Sequence, residues 1–207
     1  GLRPDIAPTD CRVAPPAGDD PPVSEVAPES HTGRVLVSNR NKVFWPEDGY
    51  TKGDLVDYYA TVAEVMLPFL EDRPVVLVRY PDGIYGKSFF QWRAPRHTPD
   101  WILTLELRDE EDQEARGTKS VFLLNERDAL IYIANQGAIP IHVLASRARD
   151  LGCGDFFTID FDIAQSTFPV AVTLALALRE LLDEAGLVGY PKTSGKTGLH
   201  VLIPVGP

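Results

Sequence analysis

Phe157-Thr158-Ile159-Asp160-Phe161-Asp162 sets two carboxylates two residues apart among large apolar side chains. Strand side chains alternate, so Phe157, Ile159 and Phe161 should face one way and Thr158, Asp160 and Asp162 the other. Two carboxylates on one strand face can share a divalent cation, and hard, oxygen-seeking Mg²⁺ or Mn²⁺ suits them. A solvated strand face would carry the same pattern; the apolar neighbours of Asp160 point instead to a central strand. A second group, Lys192-Thr193-Ser194-Gly195-Lys196-Thr197-Gly198-Leu199-His200, offers glycine amides, hydroxyls and cations in one loop. Such a loop can cradle an anion, or it can be a tight hairpin whose lysines simply meet water. It is not a P-loop, because Gly189 stands one residue too far ahead of Gly195-Lys196-Thr197 and an apolar strand follows where a helix is required. His142 and His200 each sit in a strand-like run, where a lone histidine is ordinarily a hydrogen-bonded core residue. A fourth group scatters cations and rings over Lys42, Lys52, Arg79, Lys87, Phe89, Phe90, Trp92 and Arg93. Phosphate contacts beside stacking rings are what single-stranded nucleic acid ends require. Adjacent strand residues face opposite sides, which leaves at most one of Phe89 and Phe90 for stacking.

The elements that must hold these residues alternate between helix and strand. Thr51 and Asp54 form a helix start, followed by Leu55, Tyr58, Tyr59, Val62, Val65, Met66 and Phe69 at helical spacing, with Pro68 near the end. Val75–Tyr80 reads as a strand and Pro81-Asp82-Gly83 as a turn. Phe89–Trp92, Ile102–Leu107 and Ser120–Leu124 are further strands. Asp128–Gln136 reads as a helix closed by Gly137, Ile141–Ala145 and Phe156–Asp162 as strands, and Phe168–Ala185 as an apolar helix stopped by Gly186. Leu199–Ile203 is a last strand. The pattern is α/β or α+β with a mixed sheet and flanking helices.

The chain has 207 residues, 44% hydrophobic and 24% charged, enough for one ordinary domain and far from a wholly disordered composition. No apolar run reaches the roughly 20 residues of a membrane span, and no secretory leader opens the sequence. Cys11 and Cys153 give neither a disulfide framework nor a zinc quartet, which favours a reducing cytoplasm. The net charge of −10 argues at first against nucleic acid, but it is unevenly spread. Residues 1–33 hold Asp5, Asp10, Asp19, Asp20, Glu25 and Glu29 against Arg3 and Arg12, and Glu106–Arg116 repeats that imbalance. The remainder is near neutral, so a local basic groove is compatible with the total. Residues 1–33 also carry seven of the 18 prolines and few large apolar groups, the signature of a linker or disordered tail. The folded domain is expected over 34–207.

In order, Asn39-Arg40-Asn41-Lys42-Val43-Phe44-Trp45-Pro46, Thr51-Lys52, Tyr58-Tyr59, Met66-Leu67-Pro68, Arg73-Pro74, Arg79-Tyr80-Pro81-Asp82-Gly83 and Phe89-Phe90 run ahead of His142, the Asp160/Asp162 strand and the Ser194–His200 loop. This succession resembles the polymerase domain of bacterial DNA ligase D, a member of the archaeo-eukaryotic primase superfamily serving non-homologous end joining. The resemblance spans about residues 34–205. It implies a primase-polymerase fold and a DNA-end nucleotidyltransferase using Mn²⁺ or Mg²⁺ and nucleoside triphosphates, ribonucleotides by analogy. It assigns Asp160 and Asp162 to the metals, and His142, Ser194, Gly195, Lys196, Thr197, Gly198 and His200 to the triphosphate. Lys42 and Lys52 fall to the 5′-phosphate of a DNA end and Phe89 and Phe90 to template stacking, with Arg79 a further residue of the site. Ligase and phosphoesterase domains and the Ku protein are the implied partners, in a bacterial cytoplasm at the nucleoid. Pro140, Ile163 and Thr197 depart from the family's usual Glu, Pro and Lys. The family's third metal-binding aspartate comes from a strand beyond the glycine loop, past Pro207. Two other readings compete: a non-catalytic module that binds 5′-phosphorylated DNA ends, and a small-molecule phosphotransferase indifferent to DNA.

Overall fold

The computed structural model describes residues 30–108, 118–162, 167–194 and 198–206. The described residues open with β1 (Ser30–Thr32) paired to β2 (Val35–Val37). Val35 and Val37 are buried, which gives even this short hairpin an apolar reason to dock. β3 (Val43–Trp45) and β4 (Tyr50–Thr51) form a second small hairpin leading into α1 (Lys52–Leu70). Thr51 and Asp54 close a capping box there, the Asp54 amide on the Thr51 hydroxyl at 3.2 Å and the Thr51 amide on the Asp54 carboxylate at 2.7 Å. Leu55, Val56, Tyr59, Ala63 and Leu70 form the buried stripe of α1; of the apolar positions expected from the sequence, Leu55 and Tyr59 lie in it, whereas Tyr58, Val65 and Phe69 are exposed.

β5 (Pro74–Arg79), β6 (Phe89–Gln91), β7 (Thr104–Arg108), β8 (Thr118–Leu123) and, after α2 (Arg127–Asn135), β9 (Ala138–Val143) make the main sheet around β5. Val75 lies between Phe122 and Val143, and Leu77 between Gln91 and Ile141, so β9 flanks one side of β5 while β8 and β6 share the other. Val75, Leu77 and Phe122 face the helices and join α1 and α2 in one core with Phe44, Leu124, Leu130, Ile131 and Ile133. Gly137 closes α2 at φ 77°, and its carbonyl accepts the Tyr80 amide at 2.7 Å. A Cβ there would stand 2.9 Å from the Tyr80 carbonyl oxygen, so glycine is required by both conformation and space.

β10 (Ser146–Arg147) and β11 (Asp150–Gly154) form a hairpin, and β12 (Phe156–Phe161), β13 (Tyr190–Thr193) and β14 (Leu199–Pro204) a three-stranded sheet ordered β12-β14-β13. α3 (Phe168–Glu184) lies over this sheet with a small core of Leu182, Val201 and Ile203, joined by Ile159, Phe161, Ala175 and Leu178. The α/β class expected from the sequence holds. The mixed sheet does not: each pairing among the described strands is antiparallel. α2 does cross over between β8 and β9, which run the same way, but β5 lies between them and runs opposite to both, so no two parallel strands are hydrogen-bonded neighbours. Among the described residues no helix is long and apolar enough to cross a membrane.

Candidate functional site

β12 presents Asp160 as its alternation requires. Ile159 and Phe161 pack toward the core beneath α3, so Asp160 emerges on the opposite face. Across the sheet Asp160 is opposite His200, and His200 is opposite Lys192, making one cross-strand row. His200 Nε2 stands 3.5 Å from Asp160 Oδ1, and Lys192 Nζ 3.5 Å from His200 Nδ1. A neutral imidazole with its proton on Nε2 satisfies both neighbours at once, accepting from Lys192 and donating to Asp160. His200 shares its face with Leu202, as expected, while Leu199, Val201 and Ile203 are buried on the other. Asp162 follows directly on the end of β12 and is exposed.

The loop after β13 folds against that strand end. The Ser194 amide donates to the Gly198 carbonyl at 3.0 Å, and the Gly198 amide donates to the Ser194 hydroxyl at 2.9 Å. A Cβ on Gly198 would come within 3.0 Å of the Phe161 carbonyl oxygen, so a glycine lets the loop lie against the strand between Asp160 and Asp162. Gly195, Lys196 and Thr197 lie outside the described residues, as does Ile163.

Lys42 and Lys52 come together at the start of α1. The Lys52 amide donates to the Lys42 carbonyl and the Gly53 amide to the Arg40 carbonyl, each at 2.8 Å, which pins the 40–42 turn to the helix. Lys42 Nζ donates to the Pro81 carbonyl and to Asp82 Oδ1, both at 2.7 Å, so the turn read from Pro81-Asp82-Gly83 supplies its partners. Lys52 is buried, its ammonium 2.7 Å from the Ser38 carbonyl oxygen. That burial, then the charges of Lys42 and Arg79, pushes its pKa down to about 8. Arg79 bonds the Gln136 carbonyl and the Gln91 side chain at 2.9 and 3.0 Å, and its guanidinium lies 5.4 Å over the Phe89 ring.

Phe89 thus meets Arg79, and Phe90 points to the other side of the strand to meet His142, ring centroids 6.0 Å apart. The register explains the second contact: Phe90 is opposite Val78 and His142 opposite Val76, all on the sheet face away from the helices. Both phenylalanines are exposed, and they point to opposite sides of the sheet as strand alternation requires. They lie on a short outer strand, and neither side is sealed.

Sequence reasoning missed the tie between the two sheets. Buried Arg73, at the foot of β5, grips Asp155 with both carboxylate oxygens at 2.6 Å and lies 4.9 Å over the Phe156 ring. Arg147 adds a bond to Asp155 at 2.9 Å. Burial works to raise the Asp155 carboxyl, but these two guanidinia outweigh it and hold it below its usual range. Lys192, singled out in the sequence only as a cation of the glycine loop, is placed by the register of β13 on β14 directly opposite His200.

Comparison with known proteins places this arrangement. The family profile described as LigD, primase-polymerase domain, matches residues 51–207. The chain belongs to the LigD primase-polymerase family. The LigD polymerase domain of Mycobacterium tuberculosis, solved in complex with DNA, superposes with a TM-score of 0.74 at 32% identity, covering 83% of this chain and 61% of that one. The multifunctional non-homologous end joining protein LigD of Mycolicibacterium smegmatis is 31% identical over 83% of the chain, and its namesake in Pseudomonas aeruginosa 31% identical over 99%. The chain spans 22% and 24% of those two proteins. The LigD match takes in Asp160, Asp162, His142, His200 and the glycine loop, and it supports the fold that carries them.

Asp160 and Asp162 are hard oxygen donors at one strand end, which fits Mg²⁺ or Mn²⁺. Among the described residues no three or more His, Cys, Asp or Glu gather as a ligand set. A hard cation of this kind commonly takes one or two carboxylates and completes its shell with substrate phosphates and water.

Proposed function

We propose that this chain is a DNA-end nucleotidyltransferase of non-homologous end joining. The observation that carries the reading is the row Asp160–His200–Lys192 beside the Ser194–Gly198 turn, on a fold shared with a DNA-bound LigD polymerase domain. The reaction joins a terminal 3′-oxygen to the α-phosphorus of a nucleoside triphosphate and releases pyrophosphate. Lys192, Ser194, Gly195, Lys196, Thr197, Gly198, His200 and His142 surround the triphosphate in this reading. His200 orients the Asp160 carboxylate through Nε2 and shields it from Lys192. Asp160 and Asp162 hold Mn²⁺ or Mg²⁺, which when bound supplies charge stabilisation to the developing oxyanions. Lys42, the more open of the lysine pair, meets the 5′-phosphate of a DNA end, with Lys52 and Arg79 adding positive potential from behind. Phe89 or Phe90 stacks on the template base. Ligase and phosphoesterase domains and Ku, in a bacterial cytoplasm, are the partners in this reading.

The test is incorporation of labelled nucleotides onto a 5′-phosphorylated DNA end in Mn²⁺, compared with Asp160→Asn/Asp162→Asn. Loss of at least about a hundredfold in rate is expected, the scale of the charge stabilisation a catalytic metal provides. Equal rates for the parent and the double variant would sink the metal assignment. Tight DNA-end binding without incorporation by the parent would favour the non-catalytic binding module.

A further inference from the structure

We propose that the aromatic groove between the β3–β4 hairpin and α1 is the seat of this chain's own proline-rich segment, residues 12–23. The inference stands apart from the DNA-end reading and needs no nucleic acid. Trp45 and Tyr50 of the hairpin, Leu55, Tyr58 and Tyr59 of α1 and Ile139 of β9 line a groove of about 420 Å³, with Asp54 its one charged lining residue. Tyr50 and Tyr58 are 51% and 59% exposed, and Tyr58 stands outside the buried stripe of α1, so core packing does not account for these rings. The Tyr59 hydroxyl is already spent on the Ile139 carbonyl, so this ring brings apolar surface to the groove. Tyr58 meets it edge to face, ring centroids 5.6 Å apart.

Residues 1–29 precede β1 and hold seven prolines, four of them as the pairs Pro15-Pro16 and Pro21-Pro22. Consecutive prolines preset the polyproline II helix, which needs no hydrogen bonds of its own and docks on aromatic rings at small entropic cost. Three residues make one turn of that helix, so Arg12 and Pro15 share an edge. Arg12 then meets Asp54 while the Pro15-Pro16 pair lies on the rings. Reach is ample. Arg40 Nη1 donates to Thr32 Oγ1 at 3.5 Å, and Arg40 Nη2 donates to Asp57, next to Tyr58, at 2.5 Å. The segment therefore joins the fold one arginine side chain away from the first turns of α1. The 14 residues from Pro16 to Ser30 span up to about 43 Å as polyproline II, and such a tether holds the segment at roughly millimolar local concentration. A proline-rich segment of another protein would lack that tether, so this chain's own segment is the occupant.

The experiment uses the whole 207-residue chain. Arg12–Val13 is the one bond in residues 1–29 that trypsin cuts, because Arg3 precedes Pro4. The initial rate at which trypsin releases residues 1–12 is read by mass spectrometry against a synthetic peptide of residues 4–24. The parent should be cut at least about tenfold more slowly than the peptide, the protection given by a segment docked most of the time. Tyr50→Ala/Tyr58→Ala should be cut at the peptide's rate, and Tyr58→Phe, which keeps the ring, should stay protected. Pro15→Ser/Pro16→Ser should lose protection against a peptide carrying the same changes. Tyr50 and Tyr58 are half open to solvent, so truncating them leaves no buried cavity, and circular dichroism of each variant verifies the fold. A parent cut as fast as the peptide overturns the proposal. Protection that survives Tyr50→Ala/Tyr58→Ala also overturns it, since the segment is then held elsewhere. Protection that fades on dilution overturns it in favour of a groove filled by a second copy. None of these outcomes moves the DNA-end reading.

Discussion

At the residue scale, Lys52 carries the most informative electrostatics. Its amine is held on the Ser38 carbonyl, and its pKa of about 8 lies below the 10.5 of a free lysine. The unfolded chain therefore binds more protons between those values, so Lys52 costs stability below about pH 8, and the cost fades as pH rises toward 10.5. Binding follows the opposite sign: a phosphate needs the ammonium charged. We predict that the preference for 5′-phosphorylated over 5′-hydroxyl ends falls between pH 7 and 9, well before an ordinary lysine would titrate. Lys52→Arg should flatten the profile. A preference constant to pH 9.5 in the parent would exclude Lys52 from the grip. The sequence made Asp160 legible because strand parity needs only its immediate neighbours. It hid the Asp160–His200 pairing, since register between strands some 40 residues apart leaves no periodic trace, whereas Lys192 lies only eight residues from His200 across the Ser194–Gly198 turn.

At the element scale, α1 was readable from the Thr51–Asp54 box and its helical spacing, though not which side of it is buried, and β5 from its run of valines. The short strands β1 to β4, β10, β11 and β13 were not, because two to five residues are too few for alternation to stand out. Their pairing is imposed by docking, as with Val35 and Val37. Arg73 is the clearest case of an element's contact that no motif announces. It joins the foot of β5 to the foot of β12, so it ties the sheet holding His142 to the strand holding Asp160. Removing it would strand Asp155 against a depleted partner set, although Arg147 remains. Arg73→Ala should cost about 2–4 kcal/mol in urea unfolding, less than a fully enclosed pair because Asp155 is partly open to water. Arg73→Lys should recover only part of it, lacking the forked geometry. A cost below about 0.5 kcal/mol would show that the two sheets are joined by something else.

At the scale of the whole molecule, the two sheets rest on unequal cores. The main sheet with α1 and α2 encloses an extensive buried cluster, whereas the β12–β14 sheet and α3 share the small cluster of Leu182, Val201 and Ile203. Along α3, Phe168, Val170, Leu174, Leu176 and Leu181 remain open to solvent. Local stability follows buried apolar contact, so amides of β12, β14 and α3 should exchange with deuterium at least tenfold faster than those of β5 and α2. Uniform protection across both would show a single cooperative unit instead. The lysine pair stands on the strong side of this division and Asp160 on the weak side. Under the proposed function, moderate warming or mild denaturant would then separate two competences, leaving recognition of a broken terminus after the means to extend it is lost.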